Sequence, residues 1–121
     1  MSIKPSDKRR HLRYDLIDFA LLETAGHGDS IQCVIVDISL GGLQIRSKVS
    51  LPVGKSCVMR VARPKDRPLE IKGEVRHSQL MPESDLFASG FRFLPETREE
   101  RMAIAEYVHE IFLRQTDAMA G

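Results

Sequence analysis

The sequence predicts a mainly β fold, a six-stranded antiparallel β-barrel with a C-terminal α-helix packed on it. Short apolar or alternating runs recur along the chain, turn residues separate them, and a helical pattern follows the last run. With 121 residues the chain is long enough to bury one core but too short for two.

The first two strands are predicted to form a hairpin. Residues 14–22 fit a helix or a strand by pattern alone. The polar, glycine-containing segment 25–30 and the β-branched run 31–36 favour a strand, because such segments join antiparallel strands. A short turn at residues 37–42 then leads into an alternating strand at 43–46.

Three further strands follow. Residues 57–61 form a predicted strand after the Leu-Pro-Val-Gly segment at 51–54. In residues 69–76 apolar or glycine positions alternate with charged ones, so one face of that strand is predicted to be buried. Three phenylalanines fall on one face of the last strand, residues 87–93, in which Gly90 indicates a bulge or a close approach.

A helix is predicted over about residues 96–114. Thr97 followed three residues later by Glu100 has the form of a capping box. Apolar residues at helical spacing form one stripe: Ile104, Ala105, Val108, Ile111 and Phe112. The stripe is expected to cover the sheet or an open end of the barrel, although a contact between two copies of the helix would use the same residues.

Composition is ordinary for a soluble globular protein, with 42% hydrophobic and 29% charged residues. No apolar run approaches the roughly 20 residues of a membrane span, and the N-terminus lacks the apolar core of a signal peptide, so a cytoplasmic location is expected. Cys33 and Cys57 lie in strand-like runs. They are expected to be reduced core residues, not a disulfide.

Positive charge is concentrated at the N-terminus. Residues 1–13 contain five lysines or arginines against one aspartate, whereas acidic residues outnumber basic ones by three in the rest of the chain. Such a block marks either a solvated tail or an anion-binding segment. Arginine predominates, and its planar fork matches phosphate and the O6/N7 edge of guanine. We expect residues 1–13 to form a flexible basic arm, and residues 14–121 to form the barrel and helix.

The turn at residues 37–42 is a second candidate site. Asp37 and Ser39 can hydrogen-bond local backbone, and two glycines permit positive φ or a close approach to the main chain. A hairpin turn explains these residues without a ligand, whereas loops also carry many binding sites. The turn alone leaves both interpretations open.

Together, R-x-x-x-R at residues 9–13 and D-x-S-x-x-G at residues 37–42 resemble the two-part signature of the PilZ domain family, bacterial receptors for cyclic di-GMP. Both parts match at every defining position, in the family's order and about two dozen residues apart. The strand G-F-R-F at 90–93, followed by an amphipathic helix, is also similar to this family. The resemblance covers about residues 8–114 and implies the same six-stranded barrel with a C-terminal helix.

The resemblance implies a ligand contact for each defining residue. Arg9 and Arg13 would fork onto phosphate or the Hoogsteen edge of guanine. Asp37 would accept from guanine donors or position an arginine, and Ser39 would donate to phosphate or accept from a guanine amine. Gly42 would leave room for the base or ribose. An arm that folds over its ligand would make binding and ordering one event.

Lys8 and Arg10 are further candidates for ligand contacts. The residue before the first motif arginine varies in this family, and a cation there tends to accompany a stacked pair of nucleotides. Lys8 favours such a pair without deciding between one and two ligands. Arg76, on the polar face of its strand, could lie near the ligand, but its position predicts a solvated surface role.

No enzymatic activity, cofactor or metal site is expected. There is no G-x-S-x-G elbow and no Gly-rich P-loop, and the four histidines lack metal-ligand spacing. The resemblance implies a cyclic di-GMP receptor that signals through an effector protein, in motility, biofilm or virulence control. We expect a monomer or weak homodimer without membrane contact.

Two other functions stay open. A small barrel with a basic arm could bind single-stranded nucleic acid, although only 6% of residues are aromatic and the phenylalanines fit the core pattern. A PilZ-like chain could also act by protein contact without binding nucleotide, but the intact motif argues against this. Salt dependence separates nucleotide from polymer binding, because polymer binding weakens steeply with salt.

Overall fold

A computed structural model describes residues 12–24, 30–63 and 67–120. These ranges contain six strands and one helix: β1 (Tyr14–Thr24), β2 (Ser30–Ile38), β3 (Gly42–Ser47), β4 (Ser56–Val61), β5 (Leu69–Leu80), β6 (Phe87–Phe93) and α1 (Arg98–Ala120). Within this described part of the chain, no helix has both the length and the apolar character needed to cross a membrane.

The six strands form a closed antiparallel barrel, which confirms the predicted fold class. Their order around the barrel is β1-β2-β3-β6-β5-β4, and β1 closes the barrel by pairing with β4. The segment that fitted either a helix or a strand is therefore a strand. It pairs with β2 from Tyr14 opposite Ile38 to Glu23 opposite Ser30.

Four strands, β1, β2, β3 and β5, extend beyond their predicted ends, and the extensions of β2 and β5 lie near the candidate site. Asp37 belongs to β2 because it pairs with β3, so the turn comprises residues 39–41 only. β5 continues to Leu80 because its second half pairs with β6. The pairing shifts register between Val75 and His77, which marks a β-bulge.

The barrel interior is apolar. The alternating pattern in β5 is confirmed, since Leu69, Ile71, Gly73 and Val75 are buried. Side chains with almost no exposure come from every strand: Leu22, Ile35, Ile38, Leu43, Ile45, Met59, Ile71, Val75 and Phe91. Each such aliphatic or aromatic side chain contributes roughly 1.5–3 kcal/mol relative to an exposed one, so this interior supplies most of the driving force for folding.

Helix α1 packs on the barrel through one face. The buried residues of that face belong to the same hydrophobic cluster as the barrel interior: Ile104, Tyr107, Val108 and Ile111. The predicted stripe was wrong at Ala105 and Phe112, which are exposed. Tyr107 takes the inner position because its hydroxyl donates to Asp18 Oδ2 of β1 at 2.5 Å. Burial and this hydrogen bond raise the pKa of Tyr107, so the hydroxyl remains a donor.

The predicted capping box begins α1. The backbone amide of Glu100 donates to Thr97 Oγ1 at 3.1 Å, and the amide of Thr97 donates to Glu100 Oε1 at 3.1 Å. Lys72 Nζ of β5 lies 3.1 Å from Glu100 Oε2, so the same carboxylate ties the start of the helix to the barrel. The helix runs to Ala120, past its predicted end.

Cys33 and Cys57 are free and buried, as predicted. Burial raises the pKa of each thiol to about 11. Because the thiolate is the reactive form, both cysteines are expected to react slowly with iodoacetamide at pH 8 in the folded protein and rapidly in urea. Mass spectrometry over a time course measures the two rates. Equal rates in folded and unfolded protein would contradict this prediction.

Candidate functional site

A tight turn at residues 39–41 joins β2 to β3. The amide of Ser39 donates to the carbonyl of Gly42 at 2.8 Å. Ser39 Oγ donates to the same carbonyl at 3.3 Å and accepts from the amide of Gly41 at 3.2 Å. Because Ser39 is buried, its hydroxyl shapes the turn. Its predicted ligand contact stays a prediction.

Replacing Ser39 with alanine is expected to lower the free energy of unfolding by about 1 kcal/mol, because two hydrogen bonds within the turn are lost. Urea unfolding followed by circular dichroism measures the change. Ser50→Ala is the matched control, since Ser50 is an exposed serine in the next loop. Equal stabilities for the two variants would contradict the structural role of Ser39.

An ion pair joins the two parts of the motif. Arg13 Nη1 donates to Asp37 Oδ1 at 2.5 Å, across 24 positions in the sequence. The strand pairing explains the contact, because Tyr14 of β1 lies opposite Ile38 of β2. The exposed fraction of each side chain is below a quarter, 24% for Arg13 and 22% for Asp37. In this structure Asp37 therefore positions an arginine, one of the two roles that the sequence left open.

Arg13 keeps donors for a further partner. Its Nε is buried and has no hydrogen-bond partner among residues 12–24, 30–63 and 67–120. A buried unpaired donor is unfavourable, and native structures contain few of them. Because Nε is closed to solvent in this arrangement, an acceptor oxygen of a ligand would reach it only after the groups that cover it move.

An open cavity of about 450 Å³ lies beside the ion pair. Strands β3, β5 and β6 supply most of its lining, and the turn and Arg13 complete it. The lining residues are Arg13, Ser39, Gly41, Gly42, Leu43, Gln44, Arg76, His77, Gly90, Phe91 and Arg92. Among the residues that the structure describes, three of the lining residues are arginines and none is acidic, so the cavity favours an anionic ligand.

The strand pairing of the barrel requires glycine at position 42. A Cβ at this position would lie 2.3 Å from the carbonyl oxygen of Phe91 on β6, far inside van der Waals contact. The sequence predicted a close approach to the main chain here. The group that approaches is the neighbouring strand, and space for a base or ribose stays a prediction.

Four polar residues outside the motif, all of them described in the structure, line the cavity. Arg76, for which the sequence predicted a solvated surface role, is half-exposed and also lines the cavity. Gln44, His77 and Arg92 were not selected from the sequence. The sequence feature that pointed to this part of the cavity was Gly90. A Cβ at position 90 would lie 2.4 Å from His77 Nε2, so His77 requires glycine there.

The motif residues before position 12 cannot be compared with this geometry. Lys8, Arg9 and Arg10 lie outside the described residues, so their ligand contacts stay predictions. In residues 12–24, 30–63 and 67–120, no group of three or more histidine, cysteine or acidic residues is arranged to hold a metal ion.

The family model of the PilZ domain matches residues 7–110, which include both parts of the motif. The chain belongs to the PilZ domain family. This PilZ domain matches no protein with a curated function.

Several solved structures, one of them a PilZ domain, have the same fold. The PilZ domain of YcgR from Escherichia coli with c-di-GMP has a TM-score of 0.71 at 12% identity, over 93% of this chain and 98% of that one. The K. pneumonia MrkH complex with c-di-GMP has a TM-score of 0.73 at 19% identity, over 92% and 55%. Bacillus subtilis MotI, an inhibitor of motility, has a TM-score of 0.67 at 19% identity, over 91% and 52%. This PilZ domain thus spans about half the length of MotI and MrkH.

Proposed function

We propose that this PilZ domain is a cyclic di-GMP receptor and that the nucleotide occupies the cavity beside the Arg13–Asp37 ion pair. The observation that carries the proposal is that this ion pair joins the two parts of the motif at a cavity lined by three arginines. The complexes of YcgR and MrkH with c-di-GMP support the same ligand class.

The chemistry of the cavity suits this ligand. Cyclic di-GMP carries two negative phosphates, and its two guanines offer N7 and O6 as acceptors. In the described part of the chain, Arg13 gives one guanidinium nitrogen to Asp37 and retains an unpaired Nε. Charge-assisted hydrogen bonds from arginine to phosphate or guanine are among the stronger polar contacts. The Asp37 carboxylate holds the guanidinium in place, which reduces the entropy cost of binding.

The basic arm supplies the second part of the proposal. Arg9, with Lys8 and Arg10 as further candidates, would contact the nucleotide from the segment before β1. Ser39 and Gly42 would contribute mainly by shaping the turn and the strand pairing beside the ligand. An arm that orders on the nucleotide would change the surface offered to another protein, which makes the nucleotide a switch.

The output is proposed to be a contact with an effector protein. Two structurally similar proteins have known outputs. MotI is an inhibitor of motility, and MrkH is a c-di-GMP-dependent transcription regulatory factor. We propose that this chain acts in motility, biofilm or virulence control, as a monomer or weak homodimer. No chemical reaction is proposed for it.

Calorimetric titration with cyclic di-GMP, GMP and a short single-stranded oligonucleotide, at low and at physiological salt, tests the proposal. We expect saturable binding of cyclic di-GMP and much weaker binding of GMP. The stoichiometry shows whether each chain binds one cyclic di-GMP or the stacked pair that Lys8 favours. Tighter binding of the oligonucleotide with a steep salt dependence would overturn the proposal in favour of a polymer-binding barrel. No nucleotide binding by the folded chain would indicate a protein-interaction module instead.

A further inference from the structure

A bulge in β5 turns two consecutive side chains towards the cavity. Val75 pairs with Phe91 and His77 pairs with Gly90, so Arg76 has no partner of its own on β6. A bulge of this kind re-aims side chains relative to the regular alternation of a strand. Arg76 and His77 are both exposed, and both line the cavity.

Gly90 makes the position of His77 possible. Gln44 of β3 and His77 of β5 pair with Gly90 from its two sides, so the three residues form a row across the sheet. A Cβ on Gly90 would lie 2.4 Å from His77 Nε2 and 3.0 Å from two ring carbons. The imidazole therefore occupies the space that any other residue at position 90 would fill.

Within residues 12–24, 30–63 and 67–120, Arg76 has a single acceptor, so most of its donors are free for a ligand. Its nearest acidic partner, Glu74, is 3.5 Å from Nη1, at the long limit of a hydrogen bond. Such an exposed pair contributes little and is readily exchanged for a better acceptor. The other charged groups that the described part of the chain contributes to the lining, Arg13 and Arg92, are cationic and do not compete for these donors.

We infer that Arg76 and His77 form a second wall of the site that reads a guanine base and sets a preference for guanine over adenine. The inference rests on the proposed function. Arginine has donors and no acceptor. It therefore matches the O6 and N7 acceptors of guanine, whereas adenine presents an amino donor beside N7. The planar imidazole of His77 supplies a surface on which a purine can stack.

Affinities of wild type and variants for cyclic di-GMP and cyclic di-AMP test the inference. Arg76→Ala is expected to weaken binding of cyclic di-GMP by about 10- to 100-fold and binding of cyclic di-AMP much less, because a bidentate guanine contact is lost. His77→Ala is expected to weaken both by about 10-fold through lost stacking. Gly90→Ala is expected to reproduce His77→Ala, because the added methyl displaces the ring. Arg60→Ala is the matched control, since this arginine of β4 lies outside the cavity.

The outcomes separate this inference from the function on which it rests. Suppose that wild type binds cyclic di-GMP and that Arg76→Ala keeps the same preference for guanine. The inference about the second wall would then be wrong, and the proposed receptor function would stand. Normal affinity in both His77→Ala and Gly90→Ala would overturn the stacking role of His77. Wild type that binds neither cyclic dinucleotide would overturn the receptor and the second wall together. Thermal unfolding of each variant verifies that it is folded before its affinity is compared.

Discussion

Replacing Arg13 with alanine is expected to weaken the binding of cyclic di-GMP by about 100-fold or more. The variant loses the donors that face the ligand, and it also leaves the Asp37 carboxylate, which is largely buried, without its partner. Truncating one member of a buried, hydrogen-bonded charge pair at a binding site typically costs about 2–5 kcal/mol. The unpaired carboxylate would in addition repel the phosphates. Calorimetry or displacement of a fluorescent cyclic di-GMP analogue measures the loss.

Two further variants separate the contributions to this effect. Arg13→Lys keeps the positive charge but not the planar fork, so an intermediate affinity is expected. Arg60→Ala removes an exposed arginine of β4 that pairs with Glu23 and Glu70, and it is expected to bind like wild type. Equal affinities for wild type and Arg13→Ala would show that the ion pair is only a structural feature of the barrel.

Replacing Gly42 with alanine is expected to lower the free energy of unfolding by about 3 kcal/mol, in the range of costs for overpacked sites. The added Cβ would lie 2.3 Å from the Phe91 carbonyl oxygen, so β3 and β6 would have to separate. For a chain of this length the melting temperature should fall by roughly 10 °C. Thermal and urea unfolding of the unliganded protein measure the effect.

Gly90→Ala is the matched control for this prediction. Its added Cβ meets the far end of the His77 side chain, which can move, and not the backbone of a neighbouring strand. A much smaller loss of stability is therefore expected. If Gly42→Ala is no less stable than Gly90→Ala, the motif glycine is not required by the strand pairing and its role must lie with the ligand.

The features that the sequence predicted well depend on neighbouring residues. The alternation of β5 is local, and so is the capping box of Thr97 and Glu100, and both are present in the structure. The two motif parts are local as well, and the family resemblance implied that they act together. Their contact requires the pairing of Tyr14 with Ile38, which a local pattern does not contain.

The features that were missed depend on distant partners. The predicted helix stripe did not include Tyr107. Its buried hydroxyl donates to Asp18, which lies 89 positions away in the sequence, and a local pattern does not contain such a partner. Arg76 is exposed, as its place on the polar face of β5 predicted, but regular alternation cannot show that β5 bulges opposite β6, so the exposure of His77 beside it was not predicted. Gly90 indicated this irregularity but could not identify His77 as the side chain that uses the space.

The most direct test of the receptor is an NMR titration of the isotope-labelled chain with cyclic di-GMP. We expect the largest chemical-shift changes in the amides of residues 39–42, in the bulge at Arg76 and His77, and in the Nε–H signal of Arg13. These groups surround one cavity, so their shifts should saturate together. Saturable changes confined to another part of the barrel, or no changes in the folded protein, would contradict the proposed site.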